Sequence, residues 1–178
     1  VSYVYSPVPE LNLLMELQER LDGEFISDGF ELVEFSEPLH GWSDAPEFVD
    51  GFLSFAIANG SGSLYAFWRI DGRADLAALP IAVFGDEGGI HLIALNLRDL
   101  LRQLACDRPL WVDWDGAGFW EYEGGHRQDG DQGHEEYLAW LGQHFGLAPP
   151  DDPNDLVRAA SEELGERFAT WVRRYVDI

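Results

Sequence analysis

The sequence predicts an α+β domain, with antiparallel hairpins in the middle of the chain and helices at both ends. Three observations carry that expectation. Two pairs of apolar runs rich in branched and aromatic residues, "FLSFAIA" with "SLYAFWRI" and "IAVF" with "IHLIAL", are each separated by a glycine-rich break. Leucines recur at helical spacing near the start of the chain, and a longer apolar stripe with the same period runs through its last turns. At 178 residues, 46% hydrophobic and 13% aromatic, the chain holds enough apolar surface for one core and is short for two, so residues 1–178 are expected to form a single domain.

Pro9 suits the first turn of a helix, and Leu11, Leu14, Leu17 and Leu21 share one face of "ELNLLMELQERL". A short amphipathic helix follows from that spacing. "EFISDGFELVEF" (24–35) reads as strand material with Asp28-Gly29 as a tight turn. From Ser36 to Asp50, prolines together with His40, Gly41 and Trp42 predict an irregular connection. "FLSFAIANGSGSLYAFWRI" predicts a hairpin about Asn59-Gly60-Ser61-Gly62. "PIAVFGDEGGIHLIALNLRDLL" predicts a second one, because "GDEGG" supplies residues that tolerate the positive φ of a connecting loop. Asn96 can cap the next helix, with Asp99 three residues on and Leu97, Leu100, Leu101 and Leu104 on the buried side. "PLWVDWD" and "GFWEYEGG" read as edge strands or ordered loops, "HRQDGDQGHEE" as a polar loop, and "EEYLAWLGQHF" as a helix ending at Gly146. After "APPDDP", Asp152 caps a last helix with Pro153 in its first turn and Asp155 at its third position. Its apolar face is Leu156, Val157, Ala160, Leu164, Phe168, Trp171, Val172 and Tyr175.

Charge narrows the function classes. There are 33 acidic residues against 11 basic ones, all arginine, for a formal net of -22. Such a field repels phosphate backbones, so direct nucleic-acid binding is not expected. It attracts a basic protein and speeds the encounter, although the same acidity also serves solubility. The N-terminal stretch lacks the basic segment and apolar block of a secretory signal, and no apolar run approaches the roughly 20 residues of a membrane helix. The expectation is a soluble, cytoplasmic protein that makes no membrane contact. Its one cysteine, Cys106, cannot form an internal disulfide.

No catalytic constellation emerges. "FGDEGGI" has neither phosphate-loop pattern, and its Asp86 and Glu87 would repel phosphate. His126, His134 and His144 lie near Asp129, Asp131, Glu135 and Glu136, a possible zinc or iron set, yet "HEEYL" lacks the second histidine of HExxH. His134 and His144, ten residues apart, would not share a helix face. "DGDQGHEE" misplaces the glycine and final glutamate of a calcium loop. A solvated loop is the simpler reading. Cys106 reads as a small core residue, and Ser61 and Ser63 lie outside any GxSxG. No cofactor or metal is therefore expected.

What remains is a concentration of aromatics among acids. Residues 107–155 carry 12 acidic side chains against only Arg108 and Arg127. Trp111, Trp114, Trp120 and Tyr122 lie beside Asp113, Asp115, Glu121 and Glu123. Aromatics dominate interface energetics and carboxylates match a basic partner. Strand alternation, with tryptophans inward and acids outward, explains the same pattern. The expected partner-binding set is Asp113, Asp115, Trp120, Glu121 and Glu123.

"GSGSLYAFWRI" followed by "LPIAVFGDEGGIHLIALNLRDLL" resembles the SUKH superfamily, the Smi/Knr type of domain. The resemblance spans about 52–105 and rests on the order of its parts. A glycine-rich turn precedes a strand ending in Phe67 and Trp68. Then come an apolar strand, the turn Gly85-Asp86-Glu87-Gly88, another strand and a leucine-rich helix. It implies a twisted antiparallel sheet flanked by helices and a non-enzymatic role with no catalytic set to transfer. Bacterial members look like immunity proteins that neutralise toxins, often nucleases, and fungal relatives act as regulatory scaffolds. The resulting expectation is an immunity-type protein that binds a basic, nuclease-like toxin. An intracellular scaffold module and a small metal-dependent hydrolase built on His126 to His144 are the alternatives.

Overall fold

The structure, a computed structural model, describes residues 4–121 and 132–178. Five strands form one antiparallel sheet in which every strand pairs with its neighbour in sequence: β1 (Glu31–Leu32), β2 (Phe52–Ile57), β3 (Leu64–Trp68), β4 (Ile81–Phe84) and β5 (Ile90–Ala94). A second, two-stranded sheet holds β6 (Leu110–Val112) and β7 (Ala117–Phe119). Helices α1 (Pro9–Leu21), α2 (Pro46–Val49), α3 (Leu97–Leu104), α4 (Gln132–Phe145), α5 (Pro153–Ala160) and α6 (Glu166–Val172) complete the α+β fold.

Both central hairpins form where the sequence places them. Ile57 faces Leu64 across the first, and the Asn59 side-chain oxygen closes its turn by accepting from the backbone N–H groups of Gly62 (3.1 Å) and Ser63 (3.0 Å). Phe84 faces Ile90 across the second, where Gly85 N–H donates to the Gly89 carbonyl (2.9 Å). β5 then runs almost directly into α3, whose Asn96 cap accepts from Asp99 N–H at 2.8 Å.

Strand alternation sends two sets of side chains to opposite faces, and both are covered. Phe52, Trp68 and Phe84 share one face with Phe48 of α2 and with Phe168 and Trp171 of α6; Phe52 and Phe84 meet edge to face at 4.8 Å. On the other, Phe55 stacks on Phe67 at 4.6 Å, and Tyr65 lies 6.1 Å from Phe30. Every residue of β4 is buried as a consequence. Leu11, Leu14, Leu17 and Leu21 of α1 enter the same continuous core, as their spacing predicts.

Three expectations change. Of residues 24–35, only Glu31 and Leu32 form a strand, and they pair with β2, while the expected turn at Asp28-Gly29 does form, with Phe30 N–H donating to the Ser27 carbonyl at 3.1 Å. The preceding segment is held by other partners, since Ser27 Oγ donates to the Leu104 carbonyl (2.8 Å). Gly29, at φ +64°, presses so closely on Asn59 and Gly60 that a Cβ would lie 2.6 Å from Gly60 N. The 36–50 connection contains the single-turn α2, which inserts Phe48 into the core. The last helix, capped by Asp152 as expected, is interrupted at Ser161–Gly165 by one π turn. The wider turn rotates the apolar stripe, leaving Ala160, Phe168 and Val172 buried while Leu164 stays partly exposed. No described helix is long and apolar enough to cross a membrane.

Candidate functional site

"PLWVDWD" and the start of "GFWEYEGG", as far as residue 121, come together as the β6–β7 hairpin, with Leu110 facing Phe119 and Val112 facing Ala117. Its turn is built by Asp113. One carboxylate oxygen accepts from the N–H groups of Asp115 (2.8 Å) and Gly116 (2.9 Å), an arrangement open to Asp and Asn. Asn154 of α5 fixes β7 from outside the hairpin, accepting from Phe119 N–H at 2.9 Å and donating to the Phe119 carbonyl at 3.0 Å.

This hairpin divides the expected interface set. Asp113 and Asp115 sit together, exposed, at the turn. Trp120 and Glu121 lie at the other end, where Trp120 N–H donates to the Pro109 carbonyl (2.9 Å). Glu121 faces Arg108, 3.7 Å away, whose guanidinium also lies 3.6 Å from Asp152. Glu123 lies outside the described residues, as does Tyr122. Among the hairpin tryptophans, Trp111 packs on Gly118 while Trp114 and Trp120 are 60% and 58% exposed. The alternation of tryptophans inward and acids outward therefore does not hold: Leu110 and Val112 face the core, Trp111 between them is only partly buried, and Trp114 and Trp120 are exposed.

The "GDEGG" turn acquires a role that its sequence does not announce. A Cβ on Gly88, at φ +122°, would lie 2.2 Å from the Trp114 indole, and one on Gly89 would lie 2.0 Å from the Asp113 carbonyl oxygen. These glycines let the second hairpin and β6–β7 touch backbone to backbone. His91 adds a contact from β5, its Nε2 lying 2.7 Å from the same Asp113 carbonyl. Trp114 is thereby both exposed and held.

Beside it lies a residue that sequence reasoning left in an irregular loop. Trp42 meets Trp114 edge to face at 6.4 Å and Phe84 at 5.7 Å. Trp42, Phe84, Trp114, Asp86 and Glu87 line an open cleft of about 500 Å³. Asp86 is oriented by two hydroxyls donating to the same carboxylate oxygen, Ser63 at 2.7 Å and Ser61 at 2.9 Å. The Ser63 bond above all, helped by Ser61, holds its carboxyl below the usual aspartate range. No sequence signal joins Trp42 to Trp114, because 72 positions separate them and only the sheet brings them together.

The other candidates resolve differently. His134 turns its two ring nitrogens toward the carbonyl oxygens of Ile26 (2.7 Å) and Ala105 (3.2 Å), while His144 is exposed beside Trp140. His126, Asp129 and Asp131 lie outside the described residues, among which no three His, Cys, Asp or Glu side chains converge as a metal set would. Burial pushes the Cys106 thiol up to about 11, and its Sγ donates to the Pro150 carbonyl at 3.5 Å. A larger cleft of about 660 Å³, between the end of β3 and α6, is flanked by an ion pair of Arg167 with Asp71 at 2.6 Å. Compared with known proteins, the chain matches no family model, no curated protein and no solved structure.

Proposed function

We propose that this chain is a non-catalytic protein-binding domain of the immunity type, which neutralises a basic, nuclease-like toxin by covering its cationic surface. The observation that carries the reading is the pair of exposed tryptophans, Trp114 and Trp120, set among Asp113, Asp115 and Glu121 in a chain of net charge -22. A nuclease must present positive charge to its substrate. An acidic surface competes for that charge, accelerates encounter, and uses aromatic anchors to slow dissociation. The resemblance of residues 52–105 to SUKH domains supports the same reading.

The test is affinity capture from the native cells and neighbouring strains at low and high salt, followed by binding measurements on the purified partner. A basic toxin whose association slows with salt is expected. The variant Asp113→Asn/Asp115→Asn/Glu121→Gln/Glu123→Gln should weaken it at least about tenfold. Unchanged affinity in that variant removes this location for the interface, and a constitutive complex with a cellular protein unrelated to toxins replaces immunity with the scaffold role.

A further inference from the structure

Resting on the reading of a basic partner, we infer that the cleft between Trp42 and Trp114 receives an arginine side chain of that partner. Three features of the cleft select that chemistry. Its walls are apolar and aromatic, from Trp42, Phe84, Leu64 and Trp114, which suits the methylene stem. The exposed indole of Trp114 offers a π face to a planar cation, and such faces attract guanidinium groups by both stacking and cation–π contact. Asp86 supplies the counter-charge. One of its oxygens takes both serine hydroxyls, and the residue as a whole is exposed at the cleft, where an incoming donor can reach it.

Both walls are fixed before any partner arrives. Gly88, having no Cβ, lets the Trp114 indole pack directly on the turn, and Ser61 and Ser63 fix the Asp86 carboxylate. A site whose groups are already ordered loses less freedom on binding. Glu87 adds a second carboxylate at the cleft, in a protein whose overall field concentrates cations at its surface. The described residues place no arginine of the chain itself in this cleft.

The experiment titrates the full chain with a short arginine-containing peptide and, separately, with the same peptide carrying the neutral isostere citrulline, following indole and backbone N–H resonances. Saturable shifts are expected at the Trp42 and Trp114 indoles and at residues 85–89 for the arginine peptide only. Asp86→Asn and Trp114→Ala should each weaken binding about tenfold, whereas Trp120→Ala, at the far end of the hairpin, should leave it within twofold. Equal shifts with citrulline, shifts spread evenly over the acidic surface, or a lysine peptide binding as tightly as arginine would overturn the inference. The same variants separate it from the broader proposal. A basic protein partner that loses affinity with Trp120→Ala and Glu121→Gln, but not with Trp114→Ala or Asp86→Asn, keeps the proposal and removes the arginine cleft. Arginine binding in the cleft without any basic protein partner does the reverse.

Discussion

Tyr65 shows how a single atom can work against the sheet that contains it. Its ring is fully buried between Phe30 and Phe55, but its hydroxyl has no hydrogen-bond partner among the described residues, and burial raises its pKa far above the tyrosine range. A buried hydroxyl left unpaired forfeits its hydration without compensation. Tyr65→Phe is therefore expected to leave stability unchanged or to raise it by up to about 1 kcal/mol in urea unfolding. A loss of more than that would show that the hydroxyl is satisfied in solution. The glycines of "GDEGG" teach a related lesson. Their residue types announce a turn, and a turn forms, yet the sequence gives no hint that Gly88 also makes room for an indole 26 positions later.

At the scale of elements, the sheet's first edge is covered by one side chain. Gln18 of α1 accepts from Leu32 N–H at 2.7 Å and donates to the Leu32 carbonyl at 3.1 Å, so its amide pairs with β1 as a neighbouring strand would. Gln18→Ala should cost about 1–3 kcal/mol, because two backbone groups lose their partners. It should also increase concentration-dependent self-association, measurable by light scattering, since an uncovered edge is a template for another strand. If the variant is as stable and as monodisperse as the parent chain, solvent serves that edge equally well. The elements that the sequence made legible are those stabilised by their own pattern: α1 by its leucine stripe, the two central hairpins by alternation and glycine turns, and α3 by Asn96. Those it misplaced depend on distant partners. Residues 24–30 resemble a strand but are claimed by Leu104 and by the Asn59-Gly60 turn, and the π turn at Ser161–Gly165 shifts a stripe that looked continuous.

For the whole molecule, the dominant fact is charge. With 33 carboxylates against 11 arginines, folding brings like charges closer than they lie in the extended chain, and screening should relieve that repulsion. Raising sodium chloride from about 0.02 to about 0.5 M, which shortens the screening length severalfold, is expected to raise Tm by at least about 2–4 °C, equivalent to about 1 kcal/mol for a chain of this size. A Tm that falls with salt would mean that ion pairs such as Arg108 with Glu121 and Asp152 outweigh the repulsion. By itself the sequence determined the α+β class, α1, the two central hairpins, α3 and a strongly acidic composition, because composition and periodicity are local properties of the chain. Only the tertiary structure decided which tryptophans face solvent, that Asp113 and Trp120 stand at opposite ends of a hairpin, and that Trp42 joins Trp114 beside Asp86. Those relations depend on how one sheet docks against another through closely approaching glycines, and no local pattern encodes the distance between residues so far apart in the chain.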